Sequence, residues 1–384
     1  MDKWQLLLEL IGVAVCGKKP TEVLRQACTP EALEAAYTVG AAHDLAHLVG
    51  QGAAKLQLQD CEALRKCKQA AMQAFVRHTR QEMAFQKACG LLEQGEIPFI
   101  PLKGSVLRQW YPEPWLRTSC DIDILVHEQQ LGQARKLFEK AGWKFTGTSS
   151  HDISLYSPEG VHLELHHTAM EDCMSEIGAV IMAGIWEDAK PLPGKQYQME
   201  LSDGLFYYYH MVHMAKHFLY GGCGIRSFLD IWILNHVVQP DPEARKALLD
   251  KGGMAGFAKA AEKLAEIWFS GQSMDERSKA FETFVLSGGT YGNLENWVSM
   301  QQAQKGSKLR YLLDRIFLPY TFLKYTYPVL QRHKWLTPVF WVVRWFRLLL
   351  GGKITQSVNE LKKSAEVTDD TNTAVRDLLD YLEL

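Results

Sequence analysis

Little in this chain would suit a protein that coats nucleic acid or spans a bilayer. Its 384 residues hold 42 Lys and Arg against 44 Asp and Glu, a formal charge of −2. That balance excludes a general attraction for polyanions as well as an acidic disordered chain. No apolar run reaches membrane-spanning length, so no spanning helix is expected. The eight cysteines include no C-x-x-C pair and no zinc-module spacing. Cys61, Cys67 and Cys89 fall in helical-looking runs, where a thiol behaves as a small hydrophobe. Such usage fits a reducing, cytoplasmic setting. In the N-terminal run Leu6–Cys16, Glu9 interrupts the apolar stretch and Val15 precedes the cysteine. An amphipathic first helix is expected there, not a lipoprotein signal. There is no internal repeat.

What is present is 47% hydrophobic and 22% charged, an ordinary globular composition with room for two or three folding units. Residues 1–96 show helical periodicity, with helix starts at Thr21-Glu22 and Thr29-Pro30-Glu31 and a last helix over Thr79–Gln94. Residues 97–200 alternate: a strand at Ile97–Leu102, a short helix at Ser105–Trp110, a buried strand at Asp121–Val126 and a helix over Glu128–Ala141. A meander follows at Trp143–Phe145, Ile153–Tyr156 and Val161–His166, the last two forming a hairpin. The order predicts an α+β fold with a small mixed sheet and flanking helices. Helices return over 201–300, broken at Gly221-Gly222-Cys223-Gly224 and Pro240-Asp241-Pro242. A basic, aromatic helical region and tail occupy 301–384.

The chemistry concentrates on Asp121-Ile122-Asp123. Carboxylates at i and i+2 of a strand share a face. Their repulsion is relieved by a bridging divalent cation. Glu164, between apolar neighbours on a later strand, can complete a site for Mg²⁺ or Mn²⁺. Upstream, Leu102-Lys103-Gly104-Ser105 turns from a strand into a helix and can present backbone N–H groups to phosphate.

Gly104-Ser105 followed by Asp121-Ile122-Asp123 resembles the signature of the DNA polymerase β-like nucleotidyltransferase superfamily. The longer string, through Tyr111-Pro112, Arg117 and Asp121–Val126, resembles the bacterial family of uncharacterised nucleotidyltransferases over residues 97–240. The resemblance implies the polymerase β-like fold with helical N- and C-terminal regions. It also implies metal-dependent transfer of a nucleoside monophosphate from an NTP to a hydroxyl-bearing acceptor. Asp121, Asp123 and Glu164 would be metal ligands and catalytic groups, and Lys103, Gly104, Ser105 and Arg117 would contact the nucleotide. The acceptor is expected to be a small molecule, sugar, peptide or protein before a polymer.

His210, His213 and His217 fall on one helix stripe. Read functionally, Lys216, His217 and Arg226 reach phosphate while Asp230 orients Arg226; read structurally, the histidines are buried and an Arg–Asp pair clamps two helices. Two other classes of function are weighed: a His/Asp metal phosphohydrolase built on this stripe, and a catalytically silent nucleotide-binding scaffold. The run Trp335–Leu350 reads first as the core of a C-terminal helical domain. Its other readings are a peripheral membrane contact through 335–350 and a surface that holds an acidic or nucleotide-bearing acceptor by stacking and charge.

Overall fold

The structure, a computed structural model, describes residues 1–149, 151–169, 175–290, 292–306, 308–350, 363–364 and 366–384. Its architecture is α+β, with one five-stranded mixed sheet set among helices. The strands are β1 (Phe99–Pro101), β2 (Asp121–Val126), β3 (Lys144–Thr148), β4 (Asp152–Tyr156) and β5 (His162–His166). They lie in the order β1-β2-β5-β4-β3. Only β2 and β5 run parallel. Pro101 is tolerated because β1 lies at the end of this order, where a missing N–H breaks no central ladder.

Period-two alternation gives the sheet two unlike faces. Ile122, Ile124 and Val126 of β2 join Ile153 and Leu155 of β4 and Leu163 and Leu165 of β5 in an apolar layer. Ala84, Ala88, Cys89 and Leu92 cover that layer from the 33-residue helix Glu62–Gln94. The predicted helix at Thr79–Gln94 is therefore the second half of a longer one. The other face carries Asp121, Asp123, His162, Glu164 and His166.

Thr21 and Thr29 cap their helices as expected, each accepting an N–H with its hydroxyl. The first helix, Lys3–Ala14, departs from expectation. It is buried at Leu6–Leu8 and Leu10–Ala14 rather than on one stripe, because helices pack around it; the exposed side of Glu9 is held by Lys18 at 2.9 Å. A single apolar core joins this helix to Asp203–Leu219, Ile225–Ile233 and Ala255–Ser270.

The predicted break at 221–224 is a turn between two of those helices. Gly221 has φ +110°, and a Cβ there would lie 2.9–3.0 Å from Trp297. Gly221→Ala is expected to cost about 1–3 kcal/mol, read as a lower urea midpoint; an unchanged midpoint would show that the turn yields freely.

The aromatic run is not a domain core. Trp335, in the turn just before the helix Thr337–Leu350, is 75% exposed, and Phe346, on that helix, is 61% exposed; among the described residues the helix packs through Trp341, Arg344 and Trp345. The tail closes with the helix Asp369–Leu382, packed on Ala255–Ser270 and Leu294–Lys305. The remainder of the predicted tail, 351–362 and 365, lies outside the described residues.

Candidate active site

The parallel register sets Asp121 beside His162 and Asp123 beside Glu164. Three carboxylates therefore meet on one face from two adjacent strands, Asp121 and Asp123 through their i, i+2 spacing and Glu164 through the strand pairing. They floor a cavity of about 270 Å³. Lys103 and Gly104 line one side of it, and His210, His213, Lys216, His217 and Arg226 line the helical side.

Lys103 takes φ +49° at the end of the segment leaving β1, a conformation that costs a non-glycine residue on the order of 1–3 kcal/mol. The turn starts the one-turn helix Gly104–Leu107 and leaves the Lys103 ammonium 2.8 Å from Asp123 Oδ1. His166 Nε2 meets the same oxygen at 2.8 Å and Glu164 at 3.4 Å. Burial pushes the Asp123 carboxyl up, but Lys103 and His166 outweigh it and hold the group well below the usual carboxylate range. Asp121 goes the other way: burial, then the neighbouring Asp123 charge, raise it to about 6. Burial lowers His166, yet its hydrogen bonds to Asp123 and Glu164 carry it up to about 9. It is an imidazolium at neutral pH.

A divalent cation fits this donor set. Ligand atoms of Asp121, His162 and Glu164 lie within 4.8 Å of one another, as do those of Asp123, Glu164 and His166, where the imidazolium of His166 has to give up its proton before it can serve as a ligand. The Asp121 carboxyl is a partly desolvated acid crowded by a second carboxylate, and positive charge at that point relieves both penalties. His151, Asp152 and His166 form a third such group beside these.

Across the cavity, the stripe on Asp203–Leu219 brings His213 and His217 together, Nε2 to Nε2 at 3.1 Å. Burial, then the Lys103 charge, push His217 down to about 4 and His213 well below its ordinary value. The stripe is thus neutral. Among the described residues it forms none of the clusters that could hold a metal.

Asp230 takes a different arginine from the one expected of it. Asp230 does not orient Arg226. It accepts from Arg117 Nε at 2.8 Å and Nη2 at 2.8 Å and from the Tyr111 hydroxyl at 2.7 Å. Arg226 donates instead to Asp44 at 3.2 Å and to the Thr118 carbonyl at 3.0 Å. The fold brings Asp230 against the segment preceding β2, so the nearer cation in space is the one more than a hundred positions away in sequence. Arg117 also donates to the Thr118 carbonyl at 2.7 Å, and a Cβ on Gly104 would come within 3.3 Å of it. Arg117 thus lines the cavity next to the Gly104 turn, with its guanidinium held by Asp230.

Ser105 does not line the cavity, and its Oγ is buried without a hydrogen-bond partner. Sequence reasoning missed three supports. Arg108 donates to the Gly104 carbonyl and Ser119 Oγ, both at 3.0 Å. Gln81 donates to the Ser119 carbonyl at 2.7 Å. Asp44 gathers Arg77, Thr118 and Arg226. None carries a local signal. His166 does, since it is two residues from Glu164 on the same strand face.

A family model described as an uncharacterised nucleotidyltransferase matches residues 29–270. No curated protein matches the chain. A solved structure titled as that of the antibiotic-resistance factor ANT(2'')-Ia aligns at 9% identity with a TM-score of 0.33, over 44% of this chain and 90% of that one.

Proposed function

The chain belongs to the family of uncharacterised nucleotidyltransferases, and we propose that it transfers a nucleoside monophosphate from an NTP to a hydroxyl-bearing acceptor with release of pyrophosphate. The observation that carries this reading is the β2–β5 register, which sets Asp121, Asp123 and Glu164 together beneath a cationic wall.

Asp121, Asp123 and Glu164 are the residues to hold Mg²⁺ or Mn²⁺. When bound, such an ion polarises the phosphate and eases ionisation of the attacking hydroxyl. Lys216 and Arg226 present positive charge to the triphosphate, and Lys103 and Gly104 border it from the strand side. Arg117, which lines the same cavity and is held in place by Asp230, adds a further cation toward the nucleotide. The acceptor oxygen bonds to the α-phosphorus as the bond to the β-phosphate oxygen breaks. The hydroxyl proton passes to Glu164, the carboxylate of the three with a side chain 24% exposed, and pyrophosphate leaves. The cavity sits near the low end of the ~300–1,000 Å³ typical of ligand pockets. It suits the triphosphate and reacting centre, with base and acceptor extending outward. A small molecule, sugar, peptide or protein side chain fits that opening.

The test is incubation of purified protein with each NTP labelled at the α-phosphate, with Mg²⁺ or Mn²⁺ and a lysate of the source cells. The Asp121→Ala, Asp123→Ala double variant runs beside it. Label on a lysate component with wild type alone is expected. NTP binding with neither label transfer nor pyrophosphate, for every NTP and both metals, would overturn the proposal in favour of a silent scaffold.

A further inference from the structure

Residues 308–350 carry a feature that the cleft does not use. The helix Thr337–Leu350 lies against the chain at 315–318. Trp341 donates to the Leu318 carbonyl at 2.8 Å, Trp345 to that of Ile316 at 3.1 Å and Arg344 to that of Arg315 at 3.3 Å. These bonds settle which side of the helix faces out. Val339, Val342, Val343 and Phe346 are exposed at helical spacing of three, four and seven, a continuous apolar stripe turned to solvent. The helix Lys308–Ile316 repeats the pattern: Leu309, Leu313, Ile316 and the following Phe317 are exposed as well.

The charge along this segment is one-sided in sequence, with Lys308 paired to Asp369 of the closing helix. Residues 306–353 contain nine Lys or Arg and a single acid, Asp314, which Lys305 neutralises. Arg310, Arg332, Lys334 and Arg347 are exposed. A second copy docking face to face would bring like charges together, whereas an anionic bilayer offers opposite charge and an apolar layer at once. Trp335 adds an aromatic of the kind that sits at headgroup level. No helix among the described residues is long and apolar enough to cross a membrane. Fourteen residues at ~1.5 Å each reach ~21 Å against a hydrocarbon core of ~30 Å.

We propose that this segment is a membrane-surface anchor whose apolar stripes enter the headgroup layer of an anionic bilayer, with its Lys and Arg on the lipid phosphates. It stands independently of the transfer chemistry, since none of its residues borders the cleft.

Flotation of the full chain with vesicles of phosphatidylcholine alone, or mixed with phosphatidylglycerol, tests it. Wild type is expected to float with the mixed vesicles, less so at high salt. Val342→Glu with Phe346→Glu is expected to lower the bound fraction about tenfold or more, and Arg332→Glu with Arg347→Glu to erase the preference for anionic lipid. These side chains are exposed, and circular dichroism checks that the variants fold. The proposal fails if folded wild type stays unbound with both vesicles, or if the Val342/Phe346 variant floats equally. It also fails if wild type instead sediments as a dimer that this variant dissociates, which would make the face a self-association surface.

Discussion

Asp121→Asn is expected to make the metal-free protein more stable while reducing transfer by about 10³-fold or more. Burial and the adjacent Asp123 raise the Asp121 carboxyl to about 6. A carboxyl raised above its unfolded value costs the native state stability once both forms are ionised. The cost is absent in acid, where the group is protonated folded and unfolded alike, and complete above about pH 6. Asn keeps the shape and removes the charge. At pH 7 the gain is about 1–2 kcal/mol after allowing for partial solvent access, seen as a higher urea midpoint. Asp123→Asn should do the opposite, because it removes the negative charge that Lys103 and His166 both pair with. Mg²⁺ or Mn²⁺ should raise the wild-type melting temperature and leave that of Asp121→Asn almost unchanged. A less stable Asp121→Asn protein, or one still active, would refute the account of the site as a charge-crowded cation cradle.

Asp230→Ala is expected to be among the most damaging substitutions outside the carboxylate triad, at about 3–5 kcal/mol. Asp230 is buried, and its carboxylate is the partner of the buried Arg117 guanidinium and the Tyr111 hydroxyl. Removing it leaves both donors desolvated and unanswered. Burial pushes the Asp230 carboxyl up, but Arg117 outweighs it and holds the group below its ordinary range. The pair's contribution is therefore present above the unfolded carboxyl value of about 4 and is lost as pH falls through the lower folded value. The gap between wild-type and variant urea midpoints should be flat at neutral pH and shrink in acid. A variant as stable as wild type would mean that the Arg117–Asp230 clamp contributes nothing to docking the helix Ile225–Ile233 on the segment before β2.

The candidate site was legible where its signal is local. Asp121 and Asp123 share a face because a strand alternates, and Glu164 reads as the third acid because it stands between leucines in a strand that must bury them. The same alternation carries His162 and His166, whose part as neighbours of the carboxylates needed the strand pairing to be seen. Asp44, Gln81 and Arg108 gave no local signal, since each acts through a backbone carbonyl or a partner from another element. Asp230 was noticed but given the wrong arginine, because proximity in sequence is a poor guide when a helix packs across the chain. The first helix was misread for a related reason. An apolar run shows that burial is wanted, not how many neighbours supply it.

By itself the sequence determined the two-faced strands, the capped helix starts, the acidic pair Asp121 and Asp123 and the glycine break between the cavity helices, all set by backbone periodicity and the φ range each residue tolerates. Only the tertiary structure decided the rest. It chose the parallel β2–β5 register that brings Glu164 to Asp123, the pairing of Asp230 with Arg117 and not Arg226, and the neutral state of His213 and His217. It also turned Val339, Val342, Val343 and Phe346 outward. Each of these depends on which distant segments share a low-dielectric contact, and no local pattern encodes that.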